Sequence, residues 1–259
     1  MPTTDTRRSV AVAIPCYNEA AAIATVIAQF RAALPEAEIV VFDNNSTDGT
    51  GEIARAQGAR VVPVPDQGKG YAVRAVFATL KGLEAVVLVD GDGTYPAESV
   101  GLLLSPILDG SADMAVGARQ PVAELGAMTP VRGLGNVLIR AAFRILIGQG
   151  PGDLLSGYRV FSQRFRDSVQ LRSTGFEIET ELTAEAVALG LRVVETPVAY
   201  HPRIAGTTSK LRAFRDGRRI LLTILAQAVR LRPARLLALG VLLAALVTAL
   251  VYFGIFLNE

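Results

Sequence analysis

Two carboxylates separated by one glycine, Asp90-Gly91-Asp92, follow directly on the apolar run Val86-Val87-Leu88-Val89. An uninterrupted run of branched apolar residues reads as a strand buried on both faces. Open parallel sheets hold their ligands at the C-terminal ends of such strands. Gly91 and Gly93 free the backbone to turn there, so that both acids can face one point. Converging carboxylates repel unless a cation or a proton lies between them, and a hard divalent cation with oxygen ligands meets that need. Asp-Gly is also ordinary turn chemistry, and this stretch alone leaves the two readings open.

The elements around it are those of an alternating chain. Strands are expected at residues 10–14, 38–42 and 60–64, before the anchor strand at 86–89. Helices follow each, the first running to Leu34 with Asn18 as its N-cap, the others ending near Gln57, Lys81 and Leu108. Strand–helix alternation with short loops gives a doubly wound, mostly parallel α/β sheet. Asp43 and Asp66 then fall at strand ends beside Asp90 and Asp92. The second half is less regular. It offers strands at 113–117, 157–161 and 192–199, a loop at 126–132, and helices at 133–148 and 176–189.

Composition narrows the chemistry. The chain has 259 residues, enough for one α/β domain with a large core, and a net charge of +2. No global field marks a nucleic-acid binder. One cysteine, Cys16, excludes an internal disulfide and suits a reducing compartment. One histidine, His201, leaves imidazole-based catalysis little to work with. No G-x-G-x-x-G follows the first strand and no phosphate-binding G-x-x-x-x-G-K-[ST] occurs. A diphosphate beside Asp90 and Asp92 would meet repulsion of about 4 kcal/mol per close charge pair, which a bridging divalent cation, Mg2+ or Mn2+, turns into attraction. That chemistry suits breaking a sugar–phosphate bond in a nucleotide-sugar.

The C-terminal end differs in kind. Residues 236–257 carry no charge, and as a helix they would extend about 33 Å, the depth of a bilayer core. Arg212, Arg215, Arg218, Arg219, Arg230, Arg232 and Arg235 precede the run, which places the main body in the cytoplasm by the positive-inside rule. Leu211, Phe214, Leu221, Leu225 and Ala228 recur at helical spacing between these arginines, as in an amphipathic helix lying on an anionic leaflet. The expected division is a catalytic domain over 1–209, an interfacial helix over 210–234 and one transmembrane helix over 235–259, a single pass through the cell (inner) membrane.

Several motifs in order resemble those of the family 2 inverting glycosyltransferases of GT-A (Rossmann-like) fold. They are Ile14-Pro15-Cys16-Tyr17-Asn18-Glu19, Asp43-Asn44-Asn45-Ser46-Thr47-Asp48-Gly49-Thr50, Gly68-Lys69-Gly70 and Asp90-Gly91-Asp92-Gly93-Thr94-Tyr95-Pro96. Gly117-Ala118-Arg119, Asp153 to Arg159 and Gly175 to Glu179 extend the likeness to the branch of dolichol-phosphate mannose synthase and bacterial polyprenyl-phosphate glycosyltransferases.

The resemblance implies an enzyme moving a sugar, expected to be UDP-linked, from a nucleotide-sugar donor to a polyprenyl phosphate acceptor with inversion. It implies a nucleotide site lined by Pro15, Tyr17, Glu19, Asp43 and Asp90. Asp90 and Asp92 would meet the metal. Arg119 and Arg132 would hold the acceptor phosphate, with Arg203 and Lys210 on a loop closing over phosphates. Some relatives use a glutamine ligand where Thr94 stands, which leaves the third ligand open. Asp153 is read either as a base, as an orienter of Arg159, or as a loop brace. Glu177 and Glu179 are read as helix-start acids. A non-lipid acceptor, a non-catalytic nucleotide-sugar binder, a homo-oligomer and a partner membrane protein stay open.

Overall fold

The computed structural model describes residues 9–121, 130–208, 210 and 213–256. Strands β1 (Val10–Cys16), β2 (Glu38–Asp43), β3 (Arg60–Pro63) and β4 (Ala85–Leu88) alternate with helices α1 (Ile23–Ala33), α2 (Thr50–Ala56) and α3 (Lys69–Thr79). After α4 (Val100–Leu108) come β5 (Met114–Pro121), α5 (Pro130–Leu146), β6 (Arg159–Ser162), α6 (Gln163–Ser168), α7 (Ile178–Ala188) and β7 (Val193–Tyr200). Helices α8 (Ala213–Leu231) and α9 (Pro233–Phe256) close the chain.

The strands form one seven-stranded sheet in the order β3-β2-β1-β4-β6-β5-β7. Among the described residues β6 alone runs against the others, pairing antiparallel with β4 and β5. The expected mostly parallel α/β sheet is therefore what the chain builds. Strands β1, β2 and β4 are apolar at nearly every position because helices cover both faces. Ile23, Val26, Ile27 and Phe30 of α1 pack with Leu103, Leu104 and Ile107 of α4 on one face. Val73 and Val76 of α3 pack with Ile178, Leu182 and Ala186 of α7 on the other. A third cluster joins Ile139, Phe143 and Ile147 from the α5 end to Ile220, Ile224 and Ala228 of α8.

Two expectations are corrected. Asn18 does not cap α1, which starts at Ile23. It sits at φ 53°, and its side-chain oxygen accepts from Thr47 N at 2.8 Å, so it ties the β1 turn to the β2 loop instead. The expected loop at 126–132 is cut short, because α5 begins at Pro130, a residue whose fixed φ suits a first helical position. Residues 126–129 lie outside the described residues.

The single transmembrane helix expected at the C-terminal end is not shown. No single helix among the described residues is long and apolar enough to cross a membrane. Only α8 and α9 together, Arg215–Leu231 with Pro233–Ala249, pass by length and composition, and they are bent by 107°. The bend falls at Pro233, which cannot continue the ladder of α8 and opens α9. Residues 257–259 lie outside the described residues. The arginines are also used differently from the expectation. Arg230 pairs with Glu185, Arg232 donates to Val187 O at 2.7 Å, and Arg235 donates to the carbonyls of Arg144, Ile145 and Ile147. These side chains cap the C-terminal ends of α7 and α5 and turn onto the body of the protein.

Candidate active site

The C-terminal ends of β1 and β4, the start of α3 and the inner sides of α5 and α8 enclose a cavity of about 1680 Å³. Asp90 and Asp92 stand at its floor. Their turn is seated by close approach. A side chain at Gly91 would strike the Sγ of Cys16, and one at Gly157 would strike the carboxylate of Asp90. Burial pushes the Cys16 thiol up, so it stays a neutral packing group.

The two acids have separate partners. Asp90 Oδ1 lies 2.6 Å from Lys69 Nζ, which also meets Glu179 Oε1 at 2.5 Å. Asp92 Oδ1 accepts from Thr94 N at 3.0 Å and from the Thr94 hydroxyl at 2.7 Å, and its Oδ2 meets Arg203 at 2.6 Å. Thr94, which stands where some relatives hold a glutamine ligand, is therefore spent on orienting Asp92. Arg203 also approaches Glu19 at 3.9 Å, and Lys210 Nζ meets Glu19 Oε1 and Asn18 O, each at 2.9 Å. The loop after β7 is thus drawn over the acids. His201 N donates to Thr94 O and Ile204 N to Asp92 O, which stitches it down.

Burial raises the pKa of Glu19, and Lys210 only partly offsets this. Burial likewise raises Glu179 against the pull of Lys69. Lys69 is the converse: burial disfavours its charge, yet Asp90 and Glu179 outweigh burial and hold it protonated.

At the far wall Arg119 and Asp153 form a bidentate pair. Arg119 Nε and Nη2 donate to Asp153 at 2.7 and 2.8 Å, and Arg119 N adds a third bond at 3.1 Å. The guanidinium also lies over the Tyr200 ring, 5.5 Å from its centroid. Burial opposes both charges, but their mutual hydrogen bond wins, holding Asp153 below the usual carboxylate range and Arg119 above its ordinary value. Asp153 orients Arg119, not Arg159. Arg159 is wholly buried and donates to the carbonyls of Leu154 and Ser156 and to Thr183.

Of the expected site residues, Pro15, Tyr17, Glu19, Asp90, Asp92, Arg119, Asp153, Arg203 and Lys210 all line the one cavity. Asp43 is not among its lining residues. It accepts from Ser46 N at 3.1 Å and shapes the loop, while its neighbour Asn44 reaches the wall. Arg132 falls in the first turn of α5, and its side chain lies outside what is described.

A hard, oxygen-only donor set of this kind fits Mg2+ or Mn2+, which take one or two carboxylates and leave the rest of their shell to phosphates and water. Among the described residues no three acidic, histidine or cysteine side chains gather into a cage. A cation here would rest on Asp92 and Asp90 and be completed by substrate phosphates.

The model of the Glycosyl transferase family 2 matches residues 11–127. Glycosyltransferase AglJ of Haloferax volcanii is 39% identical over 233 residues, covering 90% of this chain and 75% of that protein. This chain belongs to glycosyl transferase family 2. A polyprenol monophosphomannose synthase of Mycolicibacterium smegmatis is 32% identical, over 76% of this chain and 79% of that one. Among solved structures, glucosyl-3-phosphoglycerate synthase of Mycobacterium tuberculosis, in complex with Mn2+ and UDP-glucose, matches with a TM-score of 0.67 at 25% identity, over 85% of this chain and 79% of that one. The fold is thereby GT-A, and the protein is a glycosyltransferase.

Within this glycosyltransferase, sequence reasoning passed over three side chains. Lys69 was seen only as part of a short glycine motif, Glu179 only as the end of a motif and a helix-start acid, and Glu195 not at all. Lys69 and Glu179 carry a signal that a sequence displays poorly: each is a charge whose partner lies far along the chain. Glu195 sits on β7 and accepts from the backbone N–H of Gly152 and Asp153.

Proposed function

We propose that the protein transfers a sugar, with inversion, from a nucleoside diphosphate sugar to a polyprenyl phosphate at the cytoplasmic face of the inner membrane. The observation that carries this reading is the layout of the cavity. Acids that suit a cation–diphosphate complex sit on its floor, and an arginine pre-oriented by Asp153 and Tyr200 sits on its wall. The name of the mycobacterial polyprenol monophosphomannose synthase supports a lipid-linked acceptor, and the UDP-glucose held by the structural neighbour supports a UDP-linked donor.

The chemistry follows from the charges. The donor's diphosphate would face Asp90, Asp92, Arg203 and Lys210. A bound divalent cation would supply charge stabilisation to the leaving diphosphate. When phosphates enter, Arg203 and Lys210 have a better anion to meet than Asp92 and Glu19. An acceptor phosphate is already anionic near neutral pH, so its oxygen can attack the anomeric carbon without a strong general base. Arg119 presents its Nη1 side to that phosphate, since the Nε–Nη2 edge is taken by Asp153. Asp153, held ionised, orients the arginine. Rate is gained from position and preorganised charge.

The outward apolar side chains of α5 and α8, Val137, Leu138, Ile145, Leu221, Leu222, Leu225 and Val229, lie on the walls of the same end of the protein. They suit a lipid surface from which an acceptor would be drawn. The test is transfer from labelled UDP- and GDP-sugars to polyprenyl phosphate in vesicles with purified protein. The expected result is label extractable into organic solvent, lost when Asp92 is replaced by Asn. Label appearing only in water-soluble products would favour a soluble acceptor and overturn the lipid reading.

A further inference from the structure

We infer that Glu195 is a positioning residue for the acceptor side of the reaction, acting through Asp153 on Arg119; this rests on the acceptor reading above. Glu195 Oε2 accepts from Gly152 N at 2.8 Å and Oε1 from Asp153 N at 2.7 Å. One carboxylate therefore holds two successive backbone N–H groups of the loop between α5 and β6. That loop delivers the Asp153 side chain to Arg119. Arg119 itself stands on β5, which pairs in parallel with β7, the strand that carries Glu195. The chain of contacts is closed: β7 grips the loop, the loop grips the guanidinium, and the guanidinium is sandwiched against Tyr200 of β7.

The geometry explains why the brace is a carboxylate. Two converging N–H donors present a small positive concavity, and a carboxylate satisfies both with charge-assisted bonds. A glutamine has one accepting oxygen and would turn its NH2 toward the other donor. Nothing in the fold needs an acid at this position otherwise. β7 is the edge strand of the sheet, and the residue is exposed. Its role is to fix a loop whose Asp153 would otherwise be free to rotate away from Arg119.

The experiment measures two things on full-length protein in lipid nanodiscs. The first is steady-state transfer, varying donor and polyprenyl phosphate separately for wild type, Glu195→Gln and Glu195→Ala. The acceptor KM should rise in that order, by roughly ten-fold for Glu195→Ala, the size of one lost charge-assisted bond. The donor KM should stay as in wild type. The second is the 15N–1H signal of Arg119 Nε, assigned by its loss in Arg119→Lys. It should be sharp and slow to exchange in wild type and broadened in Glu195→Ala. An unchanged Arg119 signal in Glu195→Ala overturns the relay, whatever the kinetics. An equal rise in both KM values also overturns it, because a merely structural defect would do that. A broadened signal in a protein whose wild type makes no lipid-linked product keeps the relay and overturns the acceptor reading.

Discussion

Lys69 shows how much a single charge can hold in this site. Its ammonium lies between Asp90 and Glu179, and all three side chains are mostly shielded from water. Removing one partner of such a cluster leaves uncompensated buried charge, which costs about 3–5 kcal/mol. Lys69→Ala should therefore lower the unfolding free energy in urea by that order and move the midpoint down, whereas Lys81→Ala, at an exposed position, should leave the midpoint unchanged. Equal midpoints for the two variants would show that the cluster contributes nothing. Asp153 gives a pH prediction. Its native pKa lies below that of the unfolded chain, so its stabilising effect is complete above about pH 4, the ordinary aspartate value, and is lost as pH falls through the native value. Stability measured against pH should drop more steeply on the acid side for wild type than for Asp153→Asn. Parallel curves would remove the ion pair from the account. The Asp90-Gly91-Asp92 turn was legible in the sequence because strand end, acids and glycines are contiguous. The Lys69–Glu179 pair that meets Asp90 was not, since these residues converge only through the crossovers of the sheet.

At the scale of elements, the strands of the first half were legible for a plain reason. A strand covered by helices on both faces must be apolar throughout, as in Val86–Val89, and its glycine- and aspartate-rich ends punctuate it. The start of α1 was misread because Asn18, a good cap by type, spends its side chain on Thr47. The partners of Arg230, Arg232 and Arg235 were not legible, because charge alone does not say which way a helix is turned. Arg235 reaches three carbonyls at the end of α5, and Arg230 and Arg232 reach α7. Arg235→Ala should leave those α5 carbonyls to solvent, and amide hydrogen exchange in the last turn of α5 should quicken by roughly ten-fold for each 1.4 kcal/mol of lost local stability. Unaltered exchange there would mean that α9 is not held by this residue.

For the whole molecule, the same contacts change how the protein should meet a membrane. With Arg230, Arg232 and Arg235 engaged internally, the proposed membrane adhesion would rest mainly on the exposed apolar residues of α5, α8 and α9. Burial of apolar area is insensitive to screening, whereas surface charge attraction fades beyond about 3 Å at 1 M salt. Binding to vesicles should therefore survive high salt and be weakened far more by polar replacements at Leu221 and Leu225. Release by salt alone would shift the weight to the arginine face of the amphipathic helix expected from the sequence. The fold and the family were legible in the order of motifs. The 107° angle between α8 and α9 was not, because a proline marks a break without fixing its direction.

The central claim is that an anionic phosphate, held by Arg119, attacks the sugar without a strong base. The most direct measurement compares transfer from the preferred nucleotide-sugar to polyprenyl phosphate and to the matching polyprenol, by wild type and by Arg119→Ala. The account predicts rapid transfer to the phosphate, none detectable to the alcohol, and a loss of at least roughly a hundred-fold on removing the arginine. Comparable transfer to the alcohol, or undiminished transfer by Arg119→Ala, would contradict it.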